Sequence, residues 1–275
     1  MKRGRCELCH TLCDLRDSHY LPKGGYKKAR ATELKNPNPV VFSDSKAKQS
    51  SLQVRGYKFC GACEHRFNDG GEAWILSRIP QNYSDPFWFH SVLDSTTPIM
   101  NGSDLVFAQA SLPEVDMQKL VYFAVSFWRG TRRWSAVDGG RPPQLFLSRQ
   151  ERVIRAFLLG RAKLPKDVVV TVAVWSYKKV YPMALMPKAA AWTGYRTYWF
   201  YFYGLIFLLA LGKKIPAQQR RTCSYHSPEQ FLTLSPTLGS IVKNDIVTNA
   251  RRFDLSKIEG MLEEVQAIRS KSPSP

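Results

Sequence analysis

Acidic residues are the scarce charge in this chain. Only 22 Asp and Glu stand against 40 Lys and Arg, a formal charge of +18. The imbalance disfavours cationic partners and favours a polyanion, either nucleic acid or an acidic membrane surface. Long apolar runs are missing as well. The strongest, TYWFYFYGLIFLLAL at 197–211, holds 15 residues, where a helical span needs about 20. Its tyrosines and Gly204 fit two buried strands joined by a turn better than a membrane segment, so no membrane partner is expected. The opening MKRGRCELCH lacks the apolar stretch of a secretory leader, and a cytoplasmic setting is expected. Cysteine is sparse, at 6 of 275 residues. In a reducing compartment paired cysteines are more often metal ligands than disulfides. No internal repeat is visible.

What is present is 44% apolar and 23% charged, a globular balance, and the length allows one sizeable core or a small module with a larger domain. Five of the six cysteines and three of the five histidines lie before residue 80. Basic residues cluster in KGGYKKAR, WRGTRR and the ARR near 250. The fold class expected is α+β: a metal-binding module over 1–80, a domain over 81–270 with helices on a mostly antiparallel sheet, and a disordered tail at 271–275.

Within that frame, KNPNPVVFSDSKAKQSS at 35–51 reads as a loop, and VRGYKFC as a short strand leading into Cys60. A helix starts near Cys63, ended or kinked by Gly70 and Gly71. A second helix has Pro113 and Glu114 in its first turn. A third follows a capping box from Ser148 to Glu151 and stops at Gly160. DVVVTVAVWSY at 167–177 reads as a strand pairing with the aromatic strands near 200, and 254–269 as an amphipathic helix.

The chemistry concentrates in Cys6-Glu-Leu-Cys9 and Cys60-Gly-Ala-Cys63. Two residues between sulfurs let one tight turn present both thiolates to a tetrahedral zinc, and the second pair closes the site. Such a zinc supplies folding energy that a loop-rich segment cannot draw from its own core. Cys13 and His10 lie close by, and either could replace a named ligand. Neither belongs to a two-residue-spaced pair, and a small buried cysteine is the plainer reading of Cys13.

Two Cys-x-x-Cys pairs enclosing a histidine that is followed three residues later by proline, here His19 and Pro22, resemble the HNH, or ββα-metal, endonuclease family. The resemblance covers about the first 70 residues. It implies a zinc-stabilised treble clef in which zinc is structural and a second divalent ion, Mg2+ or another, serves hydrolysis of DNA phosphodiesters. Carried over by position, His19 is the base that activates water, and Ser18 and Glu64 hold the divalent ion. Family members usually have an acid where Ser18 stands and an asparagine where Glu64 stands, so the carboxylate has moved from one element to the other. Asp17, Asn68 and Glu72 could assist, or could be solvated polar residues. Lys23, Lys27, Lys28, Arg30 and Arg66 are candidates for contacts to flanking phosphates, and Gly24 and Gly25 would make room for a nearby backbone.

Two other function classes carry the same residues. One is a non-catalytic, zinc-stabilised nucleic-acid-binding protein, a degenerate member of the family. The other is a zinc-stabilised protein-interaction module. Cys223 and His226 form a Cys-x-x-His with no second pair near it in the sequence, His90 in PFWFHS reads as a member of an aromatic cluster, and Arg129, Arg132 and Arg133 sit at a helix end where cations suit the dipole and can face phosphates.

Overall fold

In a computed structural model the described residues are 2–30, 38, 40–42, 47–80, 85–135, 144–177, 180, 183–190 and 195–251. The front of the chain forms β1 (Lys2–Arg5), β2 (Leu12–His19), α1 (Lys23–Lys28), β3 (Val40–Phe42), β4 (Ala47–Gln49), β5 (Arg55–Cys60), α2 (Gly61–Phe67), a π-helical turn (Asn68–Glu72) and α3 (Ala73–Leu76). Next come α4 (Trp88–Asp94), β6 (Met100–Asn101), β7 (Leu105–Ala108), α5 (Met117–Ser126) and α6 (Gln150–Leu158). The remainder is β8 (Val168–Trp175), β9 (Ala184–Ala189), β10 (Thr197–Phe202), β11 (Leu205–Leu211), α7 (Ala217–Arg221), β12 (Phe231–Ser235) and α8 (Pro236–Arg251). The architecture is mixed α+β. The expected helix at 254–269 and the tail at 271–275 lie outside the described residues.

The 197–211 run folds back on itself. β10 and β11 pair antiparallel with Phe200 opposite Phe207 and Phe202 opposite Leu205. Tyr203 and Gly204 form the two-residue turn, at φ 47 and 90, the positive values that a tight hairpin of right-handed twist demands. A Cβ on Gly204 would lie 2.7 Å from the Phe87 ring, so glycine is required there on two counts. Both strands are buried throughout, which is why they read as continuous apolar runs rather than alternating ones. They belong to a seven-stranded sheet of order β6-β7-β12-β8-β11-β10-β9. Every pair in it is antiparallel except β12 with β8. No helix among the described residues is long and apolar enough to cross a membrane.

Helix α5 lays Phe123 against Phe202 and Phe207 of this sheet, and Phe127 stacks on Phe200 at 3.6 Å between ring centroids. Trp175 and Tyr201 pack together on the opposite face, as the period-2 alternation of a strand requires. The other side of α5 receives the π-helical turn. A Cβ on Gly71 would meet the Lys119 carbonyl oxygen at 2.5 Å, and one on Gly70 would enter the Tyr122 ring. The helix that begins at α2 thus runs on through the π-helical turn into α3, and the glycine pair lets α5 approach it closely. One hydrophobic core takes in residues on both sides of position 80, among them Leu8, Phe59 and Phe67 together with Trp128, Phe202 and Phe207.

Two helix starts differ from the sequence expectation. α5 begins at Met117, capped by Asp116, whose side chain accepts from the Lys119 N–H at 3.0 Å; Pro113 and Glu114 precede it. α6 begins at Gln150 with no side-chain cap. Ser148 instead adopts φ 50, and its hydroxyl accepts from Arg196 at 2.7 Å. In both places a tertiary partner or a nearer capping group prevailed over the local motif.

Candidate metal centre

The turn between β1 and β2 carries Cys6 and Cys9, closed by Cys6 N–H to the Thr11 carbonyl at 2.9 Å and His10 N–H to the Cys6 carbonyl at 2.8 Å. β2 pairs antiparallel with β5, with Leu15 opposite Cys60 and His19 opposite Arg55. The first turn of α2 follows at once, bringing Cys63 round to the same point. The Sγ atoms of Cys6, Cys9, Cys60 and Cys63 all lie within 4.8 Å of one another, and Cys9 Sγ stands 3.9 Å from Cys60 Sγ. Sulfurs about 2.3 Å from a tetrahedral zinc sit roughly 3.8 Å apart, so the quartet fits such an ion. The chemistry agrees. The hydrogen bond between the Cys6 and Cys63 sulfurs lowers the Cys6 pKa to about 4 and raises that of Cys63, while burial raises that of Cys60 to about 11. Thiolate is the form in which cysteine binds a dication. Cys13 lies outside the quartet, its thiol directed to the Thr11 carbonyl at 3.3 Å. His10 is exposed at φ 64 and is not among the four.

Comparison with protein families, curated proteins and solved structures found no match. The site therefore rests on its own geometry.

His19 ends β2, half-buried, with its ring 6.2 Å from the Tyr26 ring. Burial lowers its pKa, with Lys23, Arg55 and Arg129 adding to the effect and Asp17 opposing it. Ser18 is buried; its hydroxyl accepts from Phe59 N–H at 3.1 Å and donates to the Arg16 carbonyl at 3.3 Å, tying β2 to β5. Glu64 stands in the first turn of α2, with its Oε1 buried and without a hydrogen-bond partner. Burial raises its pKa, offset in part by the Arg129 charge and by the Ser18 hydroxyl beside it. Ser18 and Glu64 are thus brought side by side. Arg129 is the charged neighbour that His19 and Glu64 share.

Arg129 is the residue whose role the sequence concealed. Instead of facing phosphates at a helix end, it is 3% exposed, because the turn after α5 points inward. Its Nη1 donates to the His19 carbonyl at 3.1 Å, Nη2 pairs with Glu72 Oε1, and the guanidinium lies 4.3 Å from the Phe67 ring centroid. Glu72, for which the sequence left open a role beside the ion or a solvated carboxylate, is the largely buried counter-ion of Arg129. The signal available was a charge set inside the apolar stretch AVSFWRGT, which in isolation names no partner. Asp17 is held by Arg55 at 2.9 Å, and Asn68 is exposed.

Lys23, Lys27 and Arg30, on α1 and just beyond it, are exposed, as is Arg66 on α2. Lys28 turns back to donate to the Ile79 carbonyl at 3.0 Å. Gly24 and Gly25 do leave room, but for side chains of this protein: Cβ atoms there would lie 2.5 Å from Leu76 and 3.0 Å from Phe202. Elsewhere, His90 Nε2 donates to the Trp175 carbonyl at 2.6 Å, and the ring packs edge-on against Phe87. His226 is engaged with the Pro165 and Val168 carbonyls, and its backbone N–H donates to the buried Cys223 sulfur.

Proposed function

We propose that the chain is an HNH-type, metal-dependent endonuclease that hydrolyses DNA phosphodiester bonds, with residues 1–80 forming a zinc-stabilised treble clef. The observation that carries this reading is the convergence of four sulfurs from the β1–β2 turn and from the start of α2. It fixes the strand that ends at His19 and the helix turn that presents Glu64 to one rigid anchor, the arrangement a positioned base and an ion-holding carboxylate need. Burial, with the charges of Lys23, Arg55 and Arg129, favours the neutral imidazole of His19, the form that accepts a proton from water.

Glu64 supports a second, divalent site through its orphaned Oε1, since a buried carboxylate oxygen without a donor is what a hard cation takes as ligand. Ser18 has one lone pair left beyond its two backbone bonds. When bound there, such an ion supplies neutralisation of charge on the phosphate and the leaving oxygen. Exposed Lys23, Lys27, Arg30 and Arg66 are suited to flanking phosphates.

The test uses supercoiled plasmid, linear duplex and single strands with Mg2+, Mn2+ or Ni2+, comparing the parent chain with His19→Ala. Metal-dependent cutting by the parent and not by the variant is the expected result; equal cutting by both overturns the base assignment. Binding by both without cutting under any metal favours the non-catalytic nucleic-acid-binding reading.

A further inference from the structure

A cationic site apart from the cysteine quartet lies at the start of α6 and the loop after β11. The start of α6, the strand edge before β10 and the loop after β11 enclose an open cavity of about 370 Å³ lined by Ser148, Arg149, Gln150, Arg196, Lys213 and Lys214, with Tyr195 on its wall. Four of these seven side chains are cationic and none is acidic. The Asp167 carboxylate accepts from Arg149 at 3.3 Å and from Gln150 at 3.2 Å. Against it stand Arg196, whose hydrogen bond goes to the neutral Ser148 hydroxyl, and the exposed Lys213 and Lys214.

The cavity is built into the fold. Arg220 ties the loop down by donating to the carbonyls of Gly212 at 3.0 Å, Lys213 at 3.2 Å and Ile215 at 3.2 Å. The Gly212 N–H bonds the Asp167 carbonyl, and the Leu211 N–H the Arg196 carbonyl, each at 2.8 Å. The Tyr195 hydroxyl is fixed by Gln219. One arginine spends its donors on main chain so that two lysines are displayed, and the backbone that carries them is held in place before any ligand arrives.

We propose that this cavity binds backbone phosphate of a polynucleotide, as a second contact on the strand that the N-terminal site engages. With Asp167 engaged by Arg149 and Gln150, the cations Arg196, Lys213 and Lys214 are the chemistry that takes phosphate oxygens, and the half-buried Tyr195 stands on the wall for the adjoining sugar or base. The proposal shares with the nuclease reading only the polynucleotide ligand, and it needs no cleavage.

The experiment titrates the zinc-loaded full chain with short labelled single strands and duplexes by fluorescence anisotropy across salt concentrations, with inorganic phosphate and a nucleoside monophosphate as competitors. The double variant Lys213→Ala/Lys214→Ala is expected to bind on the order of tenfold more weakly, with the slope of log affinity against log salt reduced by roughly 0.7 to 0.9 per cation removed. Arg196→Gln tests the other wall and should weaken binding in the same direction, and metal content and circular dichroism of each variant report folding. Parent-like affinity and slope in both variants overturn the proposal. So does loss of phosphate or mononucleotide binding with oligonucleotide binding intact, which identifies a small-anion pocket instead. A parent chain that binds but never cuts ends the nuclease reading alone.

Discussion

The Arg129 guanidinium donates to the main-chain carbonyl of His19 at 3.1 Å while its other terminal nitrogen pairs with Glu72. A cation from the turn after α5 thereby supports the end of β2, 110 residues earlier in the chain. Because the guanidinium is almost wholly buried, removing it strands a carboxylate out of water. Arg129→Met should destabilise the fold by about 3–5 kcal/mol, and Arg129→Met with Glu72→Gln should recover much of that. Urea midpoints of the two variants check this; equal losses in both would show that the pair is not the source.

Metal content separates the quartet from its spare neighbour. The parent should carry one zinc per chain by elemental analysis. Cys60→Ser should lose the ion and melt earlier, since zinc binding is folding energy for this segment. Cys13→Ser should keep both metal and stability, because its thiol faces the Thr11 carbonyl. Loss of zinc in the Cys13 variant would mean that the ligand set is different.

The His19 imidazole should titrate below its ordinary value of 6.5. Burial makes the folded chain bind this proton less tightly than the unfolded chain does. The sign follows: His19 leaves stability unaffected above 6.5 and lowers it as pH falls below 6.5 toward the folded value. Imidazole proton shifts followed by NMR give the midpoint, and the acid limb of any cleavage profile should share it. A midpoint above 6.5 contradicts the prediction.

The close approach of α5 to the π-helical turn sets a steric limit. Gly71→Ala pushes a methyl to 2.5 Å from a main-chain oxygen that has little room to move, an overpacking cost of about 1–3 kcal/mol. Gly102→Ala, with nothing within 4 Å of the added carbon, serves as the control and should change little. Thermal midpoints compare the two.

Local chemistry alone fixed several features. The spacing of Cys6, Cys9, Cys60 and Cys63 specifies one site because a tight turn has only one way to aim two sulfurs together. Gly204 between two runs of aromatic and branched residues specifies a hairpin, since few other residues accept its backbone angles. The apolar run at 168–175 reads directly as a buried strand.

Long-range packing decided the rest. Arg129 looks like any helix-end cation until its turn is folded inward onto Glu72 and His19. Gly24 and Gly25 are explained by Leu76 and Phe202, which are far off in sequence. The basic cavity gathers residues from 148–150, 195–196 and 211–214, and no window of sequence contains it. The physical reason is the same in each case: turn geometry and ligand spacing are short-range and leave their mark in neighbouring residues, whereas a buried charge or a cavity wall is defined by partners that only the closed chain brings into contact.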